Sequence, residues 1–256
     1  MIGPCLAIAA VTFREAVRDR VLYMLLAFAL VMIATSRLLA MLTVGSEARI
    51  VADTGLTAIA LFGVLTAVFV GVSLITKEIE RKTAYTILAR SISRQQFVSG
   101  KYLGLLLTLV VNAATMSLAF LALLAWRGDP VRGMLPALWL IGVELAVVTA
   151  MAQFFSAVCS SSIIGILFTL SGYVVGHLIW SLPLLAQRLT ASWARIVVMT
   201  CYDLLPNLDR FNVRPQAVHG DTVPLDFLLG QTAYGAGWVL LLVLATAFAF
   251  SRRDLI

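Results

Sequence analysis

Polar and apolar positions along this chain alternate in long blocks rather than residue by residue. Leu56 to Thr76 contains no Asp, Glu, Lys, Arg or His, and neither does Tyr102 to Trp126. Each block is about as long as the roughly 20 residues a helix needs to cross the hydrocarbon core of a bilayer. Similar blocks run from about Val21 to Thr43, Leu135 to Val158, Ile163 to Trp180 and Thr232 to Phe250. The pattern predicts an all-α integral membrane protein with six transmembrane helices. It also predicts one domain over residues 1–256, with little left over for a separate soluble one.

The stretches between the blocks predict the remaining elements. Over residues 6–20, Leu6, Ala9, Phe13 and Val17 share a helix face while Arg14, Glu15, Arg18 and Asp19 lie elsewhere, the pattern of an interfacial (elbow) helix. Val44 to Gly55 reads as a short polar connection. Within the second span Gly63, Ala67 and Gly71 recur every fourth residue, which lets another helix approach closely. Arg127 to Gly133 is a turn, with Pro130 as a stop signal. Residues 181–230 form an extracytoplasmic segment. In it Arg188 and Arg195 share a face of an interfacial or partly re-entrant helix, and a polar stretch follows.

The most informative stretch is the charged island over residues 77–101, KEIERKTAYTILARSISRQQFVSGK. It lies in water between the second and third spans. Glu78 to Arg90 keeps helical character, with Ile79, Ile87 and Leu88 on one side and a Glu78–Lys82 pair at the favourable i, i+4 spacing. The helix halts at Ser91-Ile92-Ser93. Ser93 and Gln96 are spaced as a capping box that starts a second helix. That helix carries Phe97 and Val98 and is expected to end at Gly100-Lys101. Apolar residues at a charged cytosolic corner suit a partner's groove. The plainer alternative is a solvated loop whose charges only orient the protein.

Composition agrees with the block pattern. The chain is 61% hydrophobic and 12% charged, with a mean hydropathy of +0.98. The net charge of +6 comes from residues at the ends of apolar runs, which suits membrane orientation better than nucleic-acid binding. Placing both termini in the cytoplasm puts Arg14, Arg18, Arg20, every lysine (Lys77, Lys82, Lys101), Arg252 and Arg253 inside. The N-terminal residues lack the basic cluster of a cleavable signal peptide. Cys5, Cys159 and Cys201 are too scattered for a disulfide framework or metal site.

Polar residues inside spans are the remaining candidates. Thr108, Asn112 and Thr115 share a face of the third span and would line a pathway or clamp helices together. Glu144 is the sharpest single residue, because a carboxylate within a span is costly and is a functional candidate by default. It reads as a polar clamp, with Asn112 at comparable depth as partner, or as a residue that lines a pathway or relays protons. His177 reads as an interfacial anchor. Enzyme signatures are absent. Gly100-Lys101 lacks the upstream glycine and the Ser/Thr of a nucleotide-binding loop. Ser171 and His177 diverge by about 240° around a helix, and there is no HExxH. A small integral-membrane enzyme is therefore the weakest of the readings carried here.

The island also resembles a known family. Glu78-Ile79-Glu80, Thr83, Leu88, Arg90-Ser91-Ile92-Ser93-Arg94, Phe97-Val98 and Gly100-Lys101-Tyr102-Leu103-Gly104 look like the cytoplasmic coupling segment of type-2 ABC (ATP-binding cassette) exporter permeases. Ser91 stands where that family usually has proline, a departure that would loosen the corner. Leu204 to Asn207 (LLPN) and the terminal RRDL are similar to family members too. The resemblance implies a permease subunit in a bacterial inner membrane. A second copy or related permease would complete the pathway, and two ABC ATPase subunits would bind ATP and Mg. This chain itself would carry no cofactor and no catalytic residue. Glu78, Glu80, Thr83, Leu88, Ser91, Arg94, Phe97 and Lys101 would form the ATPase-coupling surface. Two functions fit: translocation of a substrate, with a lipid-like cargo mildly favoured by the apolar spans, or mechanical action on a periplasmic partner.

Overall fold

A computed structural model describes residues 3–16, 27–28, 31–32, 34, 47–80, 94–129, 131–159, 161–182, 186–187 and 192–252. The described residues form helices and turns. The helices are α1 (Gly3–Ala16), α2 (Glu47–Glu80), α3 (Arg94–Arg127), α4 (Leu135–Val158), α5 (Ser162–Leu178), α6 (Ser192–Leu204), α7 (Arg214–His219) and α8 (Leu225–Arg252). Five of them hold stretches long and apolar enough to cross a membrane: Ala48–Ser73, Gln95–Arg127, Leu135–Val158, Ser162–Ser181 and Leu225–Phe250. These match the second to sixth predicted spans. The first, residues 21–43, lies almost wholly outside the described residues. Within it Phe28 and Met32 are helical and buried, and Phe28 meets Phe62 of α2 edge-on at 6.2 Å between centroids.

The core sits where α2 packs against α4. Small residues set how closely the two approach: a Cβ at Gly63 would lie 2.5 Å from Leu145 Cδ1, and one at Gly71 would lie 3.0 Å from Ala152 Cβ. The four-residue spacing of Gly63, Ala67 and Gly71 thus does what it implies. Around this pair, α3, α5 and α8 complete the bundle with much of their surface outward-facing.

Two boundaries differ from those the sequence predicts. Residues 44–55 are not simply a polar connection, because α2 already begins at Glu47. Val51, Ala52 and Leu56 are buried while Arg49 and Asp53 point outward, so the segment is amphipathic and packing carries the helix on. Gly55 lies against the Phe120 ring. The second helix of the island does not stop at Gly100-Lys101 either. It is the first turns of α3, which runs unbroken to Arg127. A mid-helix glycine costs only about 1 kcal/mol, and the buried Phe97, Val98, Tyr102 and Leu105 around it outweigh that.

The far end of α3 stops for a recognisable reason. Gly128 takes φ +79°, and the N–H of Asp129 donates to Leu124 O at 3.0 Å, the left-handed cap that glycine adopts without steric cost.

Candidate functional site

Glu144 marks the first of two polar centres. It sits in the middle of α4 and is fully buried. Its basic partners come from two other elements. His177 of α5 places Nε2 3.4 Å from Glu144 Oε1, and Arg214, first residue of α7, places its guanidinium 3.9 Å from Oε2. The Tyr173 side chain lies against the same carboxylate, one helical turn before His177. His177 Nδ1 lies 3.2 Å from Tyr173 O and donates its hydrogen there. The neutral ring then offers Nε2 only as an acceptor, so its approach to a carboxylate oxygen is favourable when one proton is shared between them.

The chain between α6 and α8 is folded so as to deliver Arg214. Leu208, Phe211, Val213 and Ala217 are buried in the main core. Gly176 of α5 makes room for Leu208 and Pro206, since a Cβ there would stand 2.8 Å from Leu208 Cγ and 3.0 Å from Pro206 O. On the α8 side, the Asn207 N–H donates to Tyr234 Oη at 2.9 Å, and Arg210 stacks over the Tyr234 ring at 4.9 Å. It is the latter part of the predicted 181–230 segment that is seated in this way. α6 exposes Trp193, Arg195 and Ile196 together.

The sequence pairs Glu144 with Asn112, and the structure corrects this. Asn112 Nδ2 instead donates to Thr66 Oγ1 of α2 at 3.0 Å. His177 likewise turns inward onto Glu144 rather than anchoring at the interface. Thr108 is buried and donates to Gly104 O, whereas Thr115 is exposed and donates to Val111 O. The three residues share a helix face but not an environment. We expect Thr66→Val to lower stability by about 0.6 to 1.7 kcal/mol, the range for hydrogen bonds between spans, and to leave ATP-coupled turnover unchanged. Unfolding in detergent and an ATPase assay of the reconstituted complex check both parts.

The second centre lies at the island end of the bundle. α2 and α3, each 34 residues and about 51 Å long, are the arms that lead into and out of the island. The first turns of α3 are held from three sides. Phe97 stacks on Phe250 of α8 at 5.7 Å, and with Val98 it joins Ala157 and Ala247 in a small separate core. Gln153 Nε2 of α4 donates to Val98 O at 2.8 Å, and Tyr102 Oη donates to Ala146 O at 3.1 Å. α1 lies along α3 with Ala9 and Thr12 against Gly104. The apolar face predicted for α1 is thereby split: Ala9 is buried in the protein, while Leu6 stays exposed.

α2 and α3 thus run without a break from Glu80 and from Arg94 into the bundle. The family model described as ABC-2 family transporter protein matches residues 6–255. The chain belongs to the ABC-2 transporter family. No curated protein matches it. As an ABC-2 family member it is a multi-pass permease subunit, a transmembrane component that associates with ABC ATPase subunits and is not itself catalytic.

Within this ABC-2 subunit the predicted coupling residues fall into three groups. Thr83, Leu88 and Ser91 lie outside the described residues. Glu78 and Glu80 belong to the last turn of α2, and Arg94 is the first residue of α3. Phe97 and Lys101 are buried, so in this arrangement neither presents a surface to a partner. Their place is inside the joint at the root of α3. Sequence reasoning missed Arg214, Tyr173 and Tyr234. The one available signal was that a carboxylate inside a span requires a cation, and Arg210 and Arg214 stand in a polar stretch between α6 and α8. Among the described residues no three His, Cys, Asp or Glu side chains converge to hold a metal ion.

Proposed function

We propose that this chain is the permease of an ATP-driven exporter in a bacterial inner membrane, with both termini in the cytoplasm and residues 1–256 acting as one unit. Two copies, or this chain and a related permease, work with two ATPase subunits that bind ATP and Mg. The island over residues 77–101 docks in the ATPase, and α1 acts as the elbow that braces the joint. The observation that carries the reading is the continuity of α2 and α3 from the island into the bundle. A push delivered at Glu80 and Arg94 travels along rigid helices rather than dissipating in a loop. The clamps on the root of α3 pass it to α1, α4 and α8 as hinge-type movement.

The test is co-purification with candidate ATPase subunits followed by ATP turnover in vesicles. Glu80→Ala with Leu88→Ala is expected to abolish assembly, or to reduce permease-stimulated turnover at least about tenfold, while thermal unfolding of the permease alone is unchanged. Undiminished assembly and turnover would remove the docking role from the island.

A second reading has an observation of its own. The segment from Pro206 to His219 is tied to α4, α5 and α8 through Glu144, Gly176 and Tyr234, so movement of those helices necessarily moves it. This subunit would then act mechanically on a periplasmic partner without passing cargo through its centre. Capture of a specific periplasmic protein that depends on residues 181–230, with no substrate accumulation in vesicles, distinguishes it from transport.

A further inference from the structure

Between α3, α4 and α8 runs an open groove of about 1150 Å³. It reaches from Ser99 to Leu121 along α3, about 33 Å at 1.5 Å per residue, against a hydrocarbon core about 30 Å thick. Its lining holds no Asp, Glu, Lys, Arg or His. The phenol, indole and threonine groups in its lining are already engaged. Tyr102 Oη donates to Ala146 O at one end, and Trp139 Nε1 donates to Thr232 Oγ1 at 3.0 Å at the other. The hydroxyls of Ser99 and Ser117 remain along the wall, but no charged group does, and the length and chemistry suit hydrocarbon.

We infer that the groove is a binding site for the acyl chains of a membrane phospholipid lying lengthwise along α3, α4 and α8. A hollow this long, open to the side of a membrane subunit, is filled by lipid or by protein. Protein fits poorly. A two-fold axis through the groove would set hollow against hollow and enclose the volume rather than fill it. Insertion of a ridge from elsewhere on a second copy would be a heterologous contact, which builds a ring or an open chain rather than a two-fold pair. With no cation in its lining, the site selects by chain and not by headgroup charge. This inference rests on the chain crossing the membrane and is independent of how the island couples to an ATPase.

The test uses the full chain reconstituted in phosphatidylcholine vesicles and then extracted into lipid-free detergent. Native mass spectrometry is expected to show phosphatidylcholine retained on the chain. Ala114 and Ala236 line the groove and are exposed, so Ala114→Phe with Ala236→Phe narrows it without entering the core. That variant is expected to lose retained lipid about tenfold while its thermal unfolding stays at the wild-type midpoint. Replacing phosphatidylcholine with phosphatidylglycerol leaves retention unchanged. A wild-type chain that emerges lipid-free, or retention indifferent to the two phenylalanines, overturns the proposal. So does a disulfide between copies carrying Leu106→Cys and Leu240→Cys, which would seat protein in the groove.

Discussion

Arg214→Ala is expected to destabilise the chain by about 3 kcal/mol, toward the lower end of what removing one partner of a buried ion pair costs. The reason lies less in the attraction lost than in what remains. Glu144 stays fully buried in the middle of α4 after the change, with the His177 ring 3.4 Å away and, among the described residues, no arginine or lysine paired to it. Arg214 is also the residue that begins α7, so its truncation loosens the segment that Leu208 and Phe211 hold in the core. The diagnostic experiment is a double-mutant cycle. Adding Glu144→Gln to Arg214→Ala removes the stranded charge at nearly constant volume and restores most of the lost stability. The two single changes are therefore strongly non-additive. Equilibrium unfolding in detergent measures all four corners. If the double variant is as unstable as the sum of the singles, Glu144 and Arg214 are not partners and the cluster is a coincidence of packing.

The same cluster shows where sequence reading stops. The second to sixth spans were legible because a bilayer imposes one constraint that every residue of a block must obey. Leu135 to Val158 is therefore a helix with the predicted ends, and the predicted fifth span falls within one residue of the helical stretch at each end. The partners of Glu144 were not legible, because nothing local connects position 144 to position 214. The contact arises only when residues 206–219 fold back onto Gly176 and Tyr234. The same logic covers Phe97 and Val98. An apolar pair beside a charged loop reads as a surface for a partner, yet Phe250, more than 150 residues later in the chain, returns to cover it. Helix ends were misjudged for a related reason. Polar residues at 47–55 and glycine at position 100 are stop signals only where tertiary packing does not override them.

Gly104→Ala and Gly237→Ala are expected to have effects of opposite sign, and the contrast isolates how α1 is joined to the bundle. Both glycines lie inside long helices, where alanine is the better helix former by about 0.5 to 1 kcal/mol. At Gly237, on α8, an added Cβ meets nothing within 4 Å, so the substitution stabilises by about that amount. At Gly104 the added Cβ falls 2.6 Å from Thr12 Cβ and 2.7 Å from Ala9 O. One of those atoms is backbone, and the Thr12 side chain is itself fixed by its hydrogen bond to Ile8 O at 2.9 Å. No rotamer change relieves the overlap, and α1 has to move as a body. Overpacking of this kind costs about 1 to 3 kcal/mol, which exceeds the propensity gain and leaves Gly104→Ala destabilised. Because α1 packs chiefly on α3, close to the clamped root that leads to the island, its displacement is also expected to lower ATPase-coupled turnover. Gly237→Ala leaves turnover at the wild-type level. Unfolding midpoints and turnover of the reconstituted complex test the pair together. A Gly104→Ala protein that is both stabilised and fully coupled would show that α1 does not brace the joint.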